Sequence, residues 1–197
     1  MEKVNLDAQN GQTPLDPDEK AALIPRHIQT QEALNDWEQE NILAASLWLR
    51  RAKVPQVLEE DFCRELHKRM FGKTWKWAGT FRTSDKNVGC DWRQVGIRLN
   101  QTLENTKYWI ANKVFAADEA AVRFHHALVL VHPFPNGNGR HSRLMTDRLL
   151  VQLGRQPFSW GAGGDLIGKS ETRASYLAAL RHADEGDFGP LLAFVRS

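Results

Sequence analysis

Pro133 and Pro135 break two helical hydrophobic patterns apart, and no other feature constrains the fold of this chain as strongly. Upstream, Phe124, Leu128 and Val131 recur at helical spacing with Ala127 and Leu130 beside them, which predicts a buried helix ending at His132. Each proline lacks an N–H and pushes the preceding residue out of the α region, so the helix must stop. Downstream, Leu144, Met145, Leu149, Leu150 and Leu153 mark a second helix. The turn between them falls on Asn136-Gly137-Asn138-Gly139, whose glycines accept positive φ and expose successive backbone amides. That loop opens on a helix N-terminus, where unpaired amides and the positive dipole end favour an anion such as a phosphate. Arg140 and Arg143, three apart, share a face of the first turn and suit a bidentate grip on outer phosphates. His132 stands at the rim with an intrinsic pKa suited to taking a hydroxyl proton.

Taken singly, these residues have plainer readings. A lone His132 would be a helix-terminal histidine satisfied by a carbonyl, and lone arginines would form a solvated face. Their density within twelve residues favours the phosphate site. His125, His132 and His141 lack the Cys or carboxylate pattern of a metal centre. Gly163 to Ser170 fits the literal G-x-x-x-x-G-K-(S/T) pattern, but Gln156-Pro157-Phe158 before it is no phosphate-loop strand. That stretch reads instead as a glycine-rich loop capped by Ser170 or Thr172 ahead of the last long helix.

The segment His132–Arg143 resembles the Fic family signature H-x-F-x-(D/E)-G-N-G-R-x-x-R at every specified position except Asn136. Trp77-Ala78-Gly79-Thr80-Phe81-Arg82 through Gly89 resembles the family's flap hairpin, and Arg173, Tyr176 and Leu180 resemble its C-terminal nucleotide-side helix. The whole chain is also similar to a Fic branch labelled mobile mystery protein B. The resemblance implies a mainly α, Fic-type helical bundle with a small β-hairpin flap over the active loop. It implies a protein adenylyltransferase moving AMP from ATP to a Ser, Thr or Tyr hydroxyl of a target protein. In that scheme His132 is the general base and Phe134 anchors the loop. Gly137, Asn138 and Gly139 form the anion hole, Arg140 and Arg143 hold the outer phosphates, and Tyr176 lies on the nucleotide side. The position of Asn136 would carry Mg²⁺; an amide oxygen still ligates a hard cation but brings no charge, which weakens the metal and opens the choice of donor.

The flap has its own pattern. Thr80, Phe81, Thr83, Val88, Trp92 and Val95 alternate with the turn formers Ser84, Asp85, Lys86, Asn87 and Gly89, which predicts two short strands and a loop within 79–97. An exposed edge there would take an extended target peptide by strand addition, with Arg82, Thr83, Val88 and Gly89 as docking residues. The bland alternative is a hairpin that merely caps the core. Many Fic proteins carry a restraining glutamate in a motif (S/T)-x-x-x-E-(G/N), paired with the second motif arginine, here Arg143. Asp36–Asn41 fits it except at Asp36, making Glu40 the candidate; Arg181–Gly186 fits as imperfectly. A separate regulatory or antitoxin protein is the other route to restraint.

Helical patterns cover about 33–51, 57–71, 95–116, 119–132, 138–153 and 171–185, with a short helix near 188–195. Residues 1–30, with Gly11, Pro14, Pro17 and Pro25, are expected as a poorly structured acidic arm before a single catalytic domain over 31–197. Residues 1–40 hold three Lys/Arg against nine Asp/Glu, while 50–100 hold twelve against six. Either the arm lies across that basic surface or it is a solvated leader. There is no run of about 18 apolar residues and no signal-peptide core, and two cysteines make no disulfide framework, so a cytoplasmic, membrane-free enzyme is the expectation. The rivals are a nucleic-acid-binding module using the basic, aromatic stretch 64–98, which leaves the His132 loop unexplained, and a nucleotide-binding scaffold without turnover.

Overall fold

A break at the two prolines predicts a helix on either side of the loop, and the computed structural model, which describes residues 13–51, 56–162, 166 and 170–197, holds both. Among them lie α1 (Pro17–Ala21), α2 (Gln31–Arg51), α3 (Glu60–Phe71), α4 (Val95–Ala111), α5 (Ala117–Val131), α6 (Asn138–Gln152), α7 (Glu171–Asp184) and α8 (Gly189–Arg196), with a 3-10 turn at Trp92–Gln94 before α4. Helix α4 stops at Ala111, short of the expected 116, because Asn112 caps it and Lys113 turns left-handed.

Helix α5 is central because it is apolar on several sides. It buries Ala120, Ala121, Val122, Phe124, Leu128 and Val131 and packs on α4, α6 and α8. Helix α2 lies on α3, α3 on α6, and α7 on α8. One apolar cluster joins Phe62, Leu66, Met70, Leu99, Leu128, Phe134 and Met145; a second gathers Val122, Leu150, Tyr176, Leu180, Leu191 and Val195. Ser170 caps α7 by accepting from the Arg173 amide at 3.0 Å. Most of the glycine-rich stretch before it lies outside the described residues.

The expected flap hairpin is not confirmed: the described residues hold no strand, only an isolated bridge between Leu23 and Trp75. The Arg82 guanidinium lies inside the flap and donates to the carbonyls of Ser84 and Cys90 within it and of Val131 and His132 at the end of α5. One side chain thus ties the flap to the motif loop. Residues 13–30, expected within a loose arm, pack onto the domain. Trp77 Nε1 donates to the Glu19 carbonyl at 3.1 Å, Ile24 N–H reaches Thr74 O at 2.8 Å, and Ile28 is buried. The remainder of the expected arm, residues 1–12, lies outside the described residues.

Candidate active site

Helix α5 ends because His132 adopts φ 51° and ψ 61°, a left-handed conformation costing a non-glycine residue roughly 1–2 kcal/mol. The following residues hold it there. Phe134 is fully buried, its ring stacked on His67 at 3.7 Å and edge-on to His141 at 5.1 Å. Burying that ring is worth about 1.5–3 kcal/mol, enough to offset the strain and anchor the loop. Asn138 closes the turn from both ends, accepting from the Phe134 amide at 2.9 Å and donating to the Phe134 carbonyl at 2.7 Å. Its side chain is thereby spent on the loop, and what it offers an anion is its backbone N–H. Gly137 caps α6 at φ 79°, and a Cβ there would lie 2.5 Å from the Phe71 ring. The amides of Asn138, Gly139 and Arg140 then stand at the start of α6 with no acceptor inside the helix.

His132 is buried, and its Nε2 lies 2.9 Å from Thr13 Oγ1. Burial, with the nearby Arg82 and Lys86 charges, pulls its pKa down to about 4 against the opposing pull of the Val129 carbonyl. The ring is therefore neutral at pH 7 and able to accept a proton. Arg82 Nε holds the His132 carbonyl at 2.7 Å, and Pro133 O accepts from the Arg82 amide at 3.0 Å.

Arg140 and Arg143 flank the α6 start in different surroundings. Arg140 Nη1 pairs with Glu38 Oε2 at 2.6 Å, and Glu38 Oε1 accepts from Trp75 Nε1 at 2.7 Å. Arg143 lies against the Tyr176 ring at 5.9 Å, and the Tyr176 hydroxyl shares a 2.7 Å hydrogen bond with His125 Nε2. The pocket joining these groups encloses about 190 Å³ and is lined by Thr13, Glu38, His132, Arg140, Arg143 and Tyr176 among others. That is below the roughly 300–1,000 Å³ typical of ligand pockets, as expected where Thr13, Leu15 and Glu38 fill part of it.

Several sequence assignments change here. Glu40 is exposed, while Glu38, 4% exposed, reaches the loop, and it grips Arg140 rather than Arg143. Two residues rotate a helix by about 200°, and the buried stripe of α2 runs Leu34, Glu38, Asn41, Ala45, Leu49. That stripe was the signal in the sequence that would have selected Glu38. Arg82, expected to dock a target, is 2% exposed and unavailable for docking. Thr83 and Val88 are exposed as a docking surface requires. Gly89 is exposed too, but its particular constraint is contact: at φ 117°, a Cβ there would lie 2.7 Å from His132 Cβ. Asn136 Oδ1 accepts from the Gly137 amide at 2.6 Å and faces Arg140 Nη2 at 3.5 Å. Donors thus occupy the oxygen a cation would need.

His67 was missed altogether. Its Nδ1 accepts from the Gly79 amide at 3.0 Å and its Nε2 donates to the Asn136 carbonyl at 3.0 Å, so one neutral ring ties flap to loop. Burial holds its pKa well below the usual histidine range. His141 bonds the Cys63 carbonyl at 2.9 Å. His125, His132 and His141 thus serve three separate partners. Trp75 and Trp77 stack on each other at 5.1 Å with Trp75 buried, which removes them as platforms for nucleic-acid bases.

The sequence model of the Fic/DOC family matches residues 57–150. The chain is 33% identical over 139 residues to Protein adenylyltransferase fic-1 of Caenorhabditis briggsae, covering 68% of this chain and 26% of that protein. It thus spans about a quarter to a third of the length of the curated relatives it matches. Among solved structures, a Caenorhabditis elegans Fic-1 fragment superposes with TM-score 0.61 at 28% identity, over 81% of this chain and 47% of that one. BepC of Bartonella tribocorum, bound to AMPPNP, superposes with TM-score 0.66 at 19% identity, over 86% and 87% of the two chains. Residues 57–150 span the flap, α5, the whole motif loop and most of α6, and by motif, geometry and match alike this chain belongs to the Fic/DOC family.

Proposed function

We propose that this domain transfers AMP from ATP to a hydroxyl of a target protein. The observation that carries the reading is a neutral His132 already hydrogen-bonded to a hydroxyl at 2.9 Å, beside the free amides of the α6 N-terminus. In the proposed reaction, those amides receive the inner phosphates and Arg140 and Arg143 the outer ones. His132 Nε2 takes the acceptor proton, the acceptor oxygen attacks the α-phosphorus, and pyrophosphate leaves. Arg82 and Gly89 fix where His132 stands, and His67 fixes the loop beneath it. Curated relatives named protein adenylyltransferases support the same reading.

The donor set does not make a metal site of the protein's own. Asn136 offers one neutral oxygen already engaged by donors, and Glu38, the acidic group in the pocket, is paired with Arg140. Magnesium, if used, would be held chiefly by the nucleotide's phosphates and water. The exposed flap residues Thr83 and Val88 suit an extended target segment. No described helix is long and apolar enough to cross a membrane. Glu38 is the restraining carboxylate in this reading, in the place expected of Glu40.

The test is transfer from α-labelled ATP, with γ-labelled ATP alongside, to protein acceptors of a host lysate. Label retained from the α but not the γ position, and lost about 100-fold or more in His132→Ala, is the expected result. Retention of γ-label would instead assign phosphoryl transfer.

A further inference from the structure

His125 is buried within α5, about two turns before the base, and the transfer chemistry above gives it no part. Its Nε2 stands 2.7 Å from the Tyr176 hydroxyl on α7, and the Trp160 ring, 4.7 Å away between centroids, closes one side of it. The backbone of Ser142 bears on the ring but gives Nδ1 no full hydrogen bond. A phenylalanine would fill the same space without that cost, so the worth of the imidazole lies in Nε2.

What Nε2 does follows from the group beyond Tyr176. Arg143 Cζ lies 5.9 Å from the centroid of that phenol ring. Burial works against the Arg143 charge, and the Tyr176 side chain supports it. Asp147, one turn along α6, is turned to Trp160 Nε1 at 3.0 Å and the Phe158 amide at 3.1 Å. Arg143 thus leans on a neutral phenol, whereas Arg140 is closed by the Glu38 carboxylate. An arginine has donors only, so toward Arg143 the Tyr176 oxygen must accept and its own proton must point elsewhere. His125 Nε2 is there to receive it. Burial and the Arg143 charge draw the His125 pKa down to about 3, so the ring is neutral at pH 7, with its proton on Nδ1 and Nε2 open.

Resting on the reading that Arg143 holds the outer phosphates, we infer that His125 is a positioning residue: by taking the Tyr176 proton it turns the phenol oxygen on Arg143 and aims that guanidinium at the nucleotide. The His125–Tyr176 pair does for Arg143 what a carboxylate would do, without neutralising it.

The test is calorimetric binding of ATP and of AMP, each with Mg²⁺, to the full chain, with steady-state transfer beside it. His125→Phe keeps the bulk and removes the acceptor, Tyr176→Phe removes the hydroxyl, and His125→Gln restores an acceptor near the place of Nε2. Both phenylalanine variants should weaken ATP about tenfold and leave AMP, which lacks the outer phosphates, within about twofold. The double variant should be no weaker than either single one, because both break the same chain of bonds. His125→Gln should recover most of the loss, and in transfer the change should fall on KM for ATP and not on kcat. Unchanged ATP binding in His125→Phe, or equal losses for ATP and AMP, overturns the inference and leaves the proposed function standing. Absence of transfer with the ATP-selective binding loss intact sinks AMP transfer and leaves the positioning role in place.

Discussion

Phe134, two residues along the loop from His132, and Thr13, hydrogen-bonded to it, are held by different means. Phe134 is locked by full burial, stacking on His67 and the paired bonds of Asn138 to its own backbone. Thr13 is held by two hydrogen bonds and, further along, by the clamp of Asp16 and Glu19 on Lys86. The Asp16 half of that clamp is about half exposed, and pairs of that kind are worth about 0–1 kcal/mol. The Asp16 contact therefore adds little, whereas Glu19, 13% exposed, meets the same almost buried ammonium and ties the arm more firmly further along. The catalytic geometry is built into the core, while Thr13 itself rests on two hydrogen bonds.

Acid should separate the two regions with the largest effect on free energy. His125 is lowered to about 3, His132 and His141 to about 4, and His67 well below its ordinary value, in each case chiefly by burial. The unfolded chain binds more protons than the folded one between pH 6.5 and 4, so stability falls as pH drops through that window. Asp147, raised to about 6 by burial, works the other way, since its contribution is lost as pH rises from 3.8 to 6. A net uptake of about two to three protons on unfolding would cost about 3–4 kcal/mol per pH unit. Asp16 behaves differently. Its bonds to Lys86 and Ser84 keep its pKa below the carboxylate norm, so Asp16 titrates only under the range that undoes the loop. Urea unfolding at pH 7 and pH 5 checks this, and equal stabilities would mean the loop histidines do not dominate.

How much of this was legible follows the same division. The helices around the loop were written in local periodicity, and the His132–Arg143 pattern placed base, amides and arginines without any long-range information. His67 was not legible because its partners lie at Gly79 and Asn136, and nothing local distinguishes it on α3. Arg82 looked like a surface flap residue because arginines are seldom buried; its burial depends on carbonyls from Val131 and His132, far along the chain. The arm looked loose because its prolines and acids describe local preference, whereas Lys86, Trp77 and Asn136 supply the order. Glu38 was within reach, since it falls on the apolar stripe of α2, but a motif spacing pointed to its exposed neighbour.

Gly89→Ala tests the tight side of the comparison at its closest contact. A Cβ there would stand 2.7 Å from His132 Cβ and 2.8 Å from an Arg82 nitrogen, at a φ of 117° that alanine rarely adopts. Both neighbours are buried, so the strain, about 1–3 kcal/mol, falls on the position of the base. Displacing a base by about 1 Å costs on the order of 100-fold in rate. Transfer should drop by about that factor with the melting temperature reduced by only a few degrees. Asn87→Ala, two residues away and exposed, should leave the rate within about twofold, because surface truncations rarely exceed about 0.5 kcal/mol. Equal losses in the two variants would make this segment a target-docking surface and nothing more.

Glu38→Gln asks on which side of the comparison a third contact belongs. By burial the Glu38–Arg140 pair resembles the loop, since Glu38 is anchored by Trp75 and packed within α2. By chemistry it resembles the arm, because a carboxylate on Arg140 occupies a guanidinium the outer phosphates would need. Glutamine keeps an acceptor for Trp75 and removes the charge. Freeing Arg140 should raise transfer about tenfold, equivalent to about 1.4 kcal/mol of released competition. The same change should lower the melting temperature, because a partly buried guanidinium loses its counter-charge. Activity and stability are thus expected to move in opposite directions, measured by initial rates at subsaturating ATP and by thermal unfolding without nucleotide. A fall in both would mean Glu38 positions Arg140 for phosphate instead of withholding it, and the restraint on this site would then rest with the arm.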